Sequence, residues 1–297
     1  MSHEMFGMTR FVLLLHSIPY LGEKTLTRLL HHNAQQRLTP EACLALSPEE
    51  WGARYDLDPR ALTYLAENRD ALLAQSETLA QTARKVDLHV LTPQSLTYPD
   101  RLERFDDSPP PILYGLGNLG LLNGPASTFS IAVSNGAAPA TLTEQDRIAA
   151  EYVERGSVPV TGHDRPAYNR LALVAQRQNR STIYVLDRGL REALGPAFDR
   201  PLFAAARIRD AVFDSARDLV LSPFRLDDHS LGEHNRRRDR MIFALADLII
   251  ALDVRAGGGM ITECLHAHSQ GRPVLVVDSG REGNAELLKA GCGKLGR

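Results

Sequence analysis

Cysteine offers this chain neither a disulfide framework nor a zinc knuckle. Cys43, Cys264 and Cys292 are odd in number, far apart, and form no Cys-x-x-Cys pair. Such usage suits a reducing compartment, so a cytoplasmic protein is expected. Long hydrophobic runs are missing too. The apolar run Phe11 to Leu15 is far too short for a signal or membrane segment, which excludes a membrane-spanning reading. Net charge is nearly absent, at −2 with a pI near 6.6, so any nucleic-acid surface must be local rather than a basic coat. There is no internal repeat and no low-complexity tract. What is present is 297 residues, 43% of them hydrophobic, enough for a sizeable core and two domains.

Residues 1–85 read as a small all-helical domain. Thr39-Pro40-Glu41 and Ser47-Pro48-Glu49-Glu50 are helix starts: a capping hydroxyl, proline in the first turn, then acids near the positive dipole end. Ile18-Pro19-Tyr20-Leu21-Gly22 gives the module a helix-hairpin-helix (or SAM-like) flavour, although plain helix packing is the commoner use of such a turn. Residues 86–124 are expected to form a bridging segment packed on the domain that follows. It opens on the strand-like Leu88–Leu91 and runs through Pro109-Pro110-Pro111, where X-Pro steps favour extended chain.

From 125 to 297 apolar runs alternate with helical patterns. The strands are predicted at Phe129–Val133, Val158–Thr161, Thr182–Leu186, Leu219–Leu221, Leu248–Leu252 and Val274–Val277. Helices are predicted at Thr143–Arg155, Pro166–Gln178, Leu202–Ala216, Arg238–Ala246 and Thr262–Gln270. That alternation predicts an α/β fold, a doubly wound and mainly parallel sheet with helices on both faces.

The densest chemistry lies in the unit from Arg236 to Asp278. Arg236, Arg237, Arg238 and Arg240 crowd the predicted entrance of a helix, where the dipole disfavours cations. Bearing that cost suggests an anion between them; the rival reading is a solvated face partly neutralised by Glu233 and Asp239. After the next strand come Gly257, Gly258, Gly259 and Thr262, a turn that lets phosphate approach a helix N-terminus, or simply a tight strand–helix connection. Asn135, Gly136, Thr161, Gly162 and Arg165 stand where two other strands end, so one cleft is expected to gather all of these. His266 and His268 are two apart on a helix, about 200° around its axis, so no metal site is expected. Tyr168 and Tyr184 are single aromatics that read as core.

In order and spacing these residues resemble the DNA-processing protein A (DprA/Smf) family. The likeness is carried by Tyr98-Pro99…Leu102, Pro110-Pro111…Leu113-Tyr114, Thr182–Leu186 with Gly189-Leu190, Arg238-Asp239-Arg240-Met241-Ile242, Gly258…Ile261-Thr262, Gly271-Arg272 and Gly283-Asn284…Gly291. The resemblance implies a Rossmann-like domain that binds single-stranded DNA through its phosphate backbone. It also implies a role in recombinase loading during natural transformation, with a homodimer left open. No catalytic residue and no cofactor are implied. Two departures stand out. Ser134-Asn135-Gly136 occupies the place of the family's Gly-Ser/Thr-Arg, so the arginine is missing, and the turn after the second strand is cut to Thr161-Gly162-His163-Asp164-Arg165-Pro166. Arg165 or Arg170 could replace the lost cation, with a salt bridge as the competing use. Two other readings stay open: a nucleotide-binding sensor on the same fold, and a base-releasing nucleotide hydrolase. The second would need Glu263 for acid–base work, and the threonine–glutamate spacing favours a structural role instead.

Overall fold

In the computed structural model, which describes residues 3–106, 109–163, 165–202 and 212–296, the chain divides by packing into two units. The first is Met1–Tyr98 with Pro110–Leu116; the second is Pro99–Pro109 with Gly117–Arg297.

The first unit holds α1 (His3–Ser17), α2 (Glu23–Gln36), α3 (Pro40–Ala45), α4 (Pro48–Tyr55) and α5 (Pro59–Lys85). The predicted caps form. Thr39 Oγ1 accepts from the Ala42 amide at 3.2 Å, and Ser47 with Glu50 makes a reciprocal capping box before Pro48. Phe11, Leu15, Ile18, Trp51 and Leu65 are buried, and Trp51 Nε1 donates to the Cys43 carbonyl at 3.2 Å. The strands β1 (Leu88–Leu91) and β2 (Leu113–Gly117) pair antiparallel, Leu88 opposite Leu116. The segment 86–124 is therefore not one body. Its hairpin strands belong largely with the helical unit, whereas α6 (Asp100–Phe105) and α7 (Gly120–Asn123) belong to the second.

The second unit carries β3 (Thr128–Val133), α8 (Pro139–Glu154), β4 (Val158–Thr161), α9 (Pro166–Arg177), β5 (Ile183–Val185), α10 (Leu190–Leu194) and β6 (Leu219–Ser222). After these come α11 (Gly232–Leu245), β7 (Leu248–Asp253), α12 (Gly259–Ser269), β8 (Val274–Val276), α13 (Glu282–Lys289) and β9 (Gly293–Lys294). All six predicted strands are present. Among the described residues of this unit, β9 is the strand that escaped prediction, because two exposed residues leave no hydrophobic pattern to read. The predicted helix Leu202–Ala216 falls largely outside the described residues.

The strands of this unit run in the order β6-β5-β4-β3-β7-β8-β9, and each neighbouring pair is parallel. Every residue of β3 is buried, as expected of a parallel strand covered on both faces. Phe129, Ile131 and Val133 pack against Ile148 and Val153 of α8 and Leu171 and Val174 of α9. Each such side chain contributes about 1.5–3 kcal/mol by burial. The chain winds outward from β3 to β6, then returns to place β7 on the other side of β3. Strand order therefore reverses between β3 and β7, the place where open α/β sheets leave a crevice at the strands' carboxyl ends.

α11 begins at Gly232, not at the arginines, so Arg236 to Arg240 lie beyond its first turn. The dipole penalty expected of them is lost, because that effect fades within one turn. The end of α11 is closed by side chains instead. Arg101 donates to the Leu245 carbonyl at 2.9 Å, and Arg272 donates to that of Ala244 at 3.0 Å.

Candidate nucleic-acid interface

The crevice between β3 and β7 is a cleft of about 520 Å³. Its lining includes Ser134 and Asn135 after β3, Arg165 before α9, Asn235 and Arg236 in α11, and Arg255 to Met260 around the glycine turn. Two helix N-termini open into it, those of α11 and α12, and no side chain caps either. First-turn amides without a side-chain cap, together with the positive ends of the dipoles, suit an anion. Gly257 has φ +65°, which explains a glycine at that position. No atom lies within 4 Å of where a Cβ would sit on Gly257 or Gly259, so a ligand can approach the backbone there.

The structure brings only part of the predicted set together. Asn135, Arg165, Arg236, Gly257, Gly258 and Gly259 line the cleft. Gly136 lies next to it in the turn, with φ +76° and open space around it. Thr161 is fully buried beneath, its hydroxyl donating to the Tyr168 carbonyl at 3.2 Å. Gly162 is a packing glycine, since a Cβ would lie 2.6 Å from Tyr168 Cδ2 and 3.1 Å from Arg238 Cδ. Thr262 is exposed one turn into α12, and its hydroxyl donates to the Gly258 carbonyl at 3.3 Å.

The four arginines do not form a cluster. Successive helical positions point about 100° apart, so neighbours in sequence face different surroundings. Arg237 donates to Asp106 at 3.1 Å. Arg238 is fully buried: Nε donates to Asp239 at 2.9 Å, Asp187 lies 3.9 Å away, and its guanidinium sits 4.9 Å from the Tyr168 ring centroid. Arg240 donates to both carboxylate oxygens of Glu263. Arg236 alone of the four is exposed, lines the cleft and has no ion-pair partner among the described residues.

The carboxylates on the cleft lining are thus committed. Glu263, only 2% exposed, is held by Arg240, which leaves no free oxygen for acid–base work on a bound nucleotide. Asp239 accepts from Arg238 and, at 2.5 Å, from the Tyr168 hydroxyl, while Arg165 stands 3.7 Å from it. Burial and the Asp239 charge push the Tyr168 phenol well above its ordinary range, so it stays a donor. Arg170 is bound by Asp146 through both oxygens, which settles its use as a salt bridge. Tyr184 is buried and accepts from Gln176 at 2.7 Å.

Sequence reasoning missed Arg255, which is exposed on the cleft lining. Its backbone amide donates to Ser134 Oγ at 3.0 Å and its Nη2 to the Asn135 carbonyl at 2.9 Å. The available signal was a cation set between the end of β7 and the glycine turn. Among the described residues no group of three or more His, Cys, Asp or Glu could hold a metal ion, and no helix is long and apolar enough to cross a membrane.

The family described as DNA recombination-mediator protein A matches residues 89–295. Among solved structures, DNA processing protein A from Streptococcus pneumoniae is similar at 18% identity and TM-score 0.70, over 97% of this chain and 94% of that one. DNA processing protein A from Helicobacter pylori, described for its single-stranded DNA binding mode, is similar at 21% identity and TM-score 0.55, over 69% of this chain and 89% of that one. No curated protein matches the chain.

Proposed function

The chain belongs to the DNA recombination-mediator protein A family, and from that premise we propose that it binds single-stranded DNA in the β3–β7 cleft through the phosphate backbone. One observation carries the reading: two uncapped helix N-termini and the guanidinium of Arg236 face a cleft whose own carboxylates are already taken by other side chains. Such a surface attracts phosphate without reading base sequence, so binding is weakly sequence-dependent and strongly salt-dependent. The Helicobacter pylori relative's single-stranded DNA binding supports the same ligand here. Recombinase loading in natural transformation, a homodimer and a cytoplasmic setting complete the proposal by family resemblance.

The test is fluorescence anisotropy of a labelled oligo-dT at several salt concentrations, with a mononucleotide as competitor. Binding with a steep salt slope, unaffected by millimolar mononucleotide, supports the proposal. A second reading, a nucleotide-binding sensor, is favoured by the cleft volume, which is in the range of small-molecule sites. Tight mononucleotide binding with no oligo-dT binding would establish it instead.

A further inference from the structure

We propose that Arg255 supplies the phosphate contact at the turn after β3, reaching across from β7 because Ser134-Asn135-Gly136 carries no cation of its own. The inference rests on the cleft being the DNA site. Arg255 has two anchors on that turn, its amide on Ser134 Oγ and its Nη2 on the Asn135 carbonyl. An arginine presents five N–H donors in a planar fork, and the Asn135 carbonyl takes one of them, leaving an edge for phosphate. Because the fork is already held, little side-chain freedom remains to be lost on binding.

Charge accounting around the cleft singles this residue out. Arg165 stands by Asp239, Arg237 by Asp106, Arg238 by Asp239 and Asp187, Arg240 by Glu263, and Arg281 by Asp253. Arg255 and Arg236 are the two arginines lining the cleft that have no carboxylate partner among the described residues. Arg255 stands two positions before the side-chain-free backbone at Gly257 to Gly259 and lines the same cleft, so one phosphate can meet both its guanidinium and the α12 amides. Open space at Gly136 leaves room for the strand to pass over the turn.

The experiment measures oligo-dT affinity against salt for the full chain and for R255A, R255K and R147A. Arg147 is an exposed α8 residue paired with Glu144, and it serves as a charge control. R255A should bind about tenfold more weakly, the lower end for one charge-assisted hydrogen bond. Its log–log salt slope should become less negative by about 0.7, the value for one phosphate contact on a single strand. R255K should keep the wild-type slope, and R147A should match wild type throughout. If the wild type binds normally and R255A retains its slope and affinity, Arg255 is only a brace between turns and the inference falls alone. Equal loss of slope in R255A and R255K would also overturn it, because the effect would then come from a disturbed turn. A wild type that fails to bind oligo-dT overturns both this inference and the DNA reading.

Discussion

Replacing Arg238 and Arg236 separately tests whether two arginines, two positions apart on one helix, do different work. Arg238 is completely buried among Asp239, Asp187 and the Tyr168 ring. Deleting its guanidinium leaves two buried carboxylates short of a counter-charge, a change that typically costs about 3–5 kcal/mol. Asp187 retains Arg188 at 3.0 Å and the Ser230 hydroxyl, and Asp239 retains the Tyr168 hydroxyl, so the lower end is expected. For a unit of this size, R238A should melt roughly 6–12 °C below wild type. R238M separates charge from packing, since it refills most of the volume without the charge. It should recover no more than about 1–2 kcal/mol of the loss. R236A should instead stay within about 0.5 kcal/mol of wild type, as exposed substitutions usually do, while flattening the oligo-dT salt slope. Urea unfolding followed by circular dichroism, with anisotropy on the same samples, reads both effects. An R238A loss below about 1 kcal/mol, or an R236A protein that unfolds readily, would refute the assignment of structural and ligand-facing roles.

Three further outcomes follow from single side chains. The Asp187 carboxyl is pushed up by burial but pulled down further by Arg188, Ser230 and the nearby His163, to about 2 from an ordinary 3.8. Its contribution, on the order of 2 kcal/mol, is therefore complete above about pH 4 and lost as pH falls towards 2. Urea titrations across that window should show a smaller pH dependence for D187N, and an unchanged dependence would contradict the assignment. G162A should lose about 1–3 kcal/mol, since its methyl would press on the Tyr168 ring and the Arg238 stem; a melt equal to wild type would show that these groups move aside. G136R places a side chain at φ +76°, a strain of about 1–2 kcal/mol, but into open space. Oligo-dT affinity should rise while the melt drops a few degrees, and a lowered melt without gained affinity would mean that DNA does not pass this turn.

Hydrophobic alternation determined six of the strands in the sheet of the second unit, all but the exposed β9. Six apolar runs, each bounded by glycine, proline or polar residues, can be buried on both faces only as parallel strands with helices between them. The helical caps at Thr39 and Ser47 were equally legible, because a cap is a contact within four residues. The glycine turn at the end of β7 belonged to the same class, a local backbone requirement written in local residues. The use of each arginine was not legible, because it depends on partners distant in the chain. Asp106 claims Arg237 across 131 positions, and Arg255 reaches Asn135 across 120. A run of four arginines reads as one positive patch until the helix turns each by about 100°, three towards carboxylates and one towards the cleft. The chain supplied the charges; the strand order β4-β3-β7, which brings two distant turns side by side, decided which of them stayed available to a ligand.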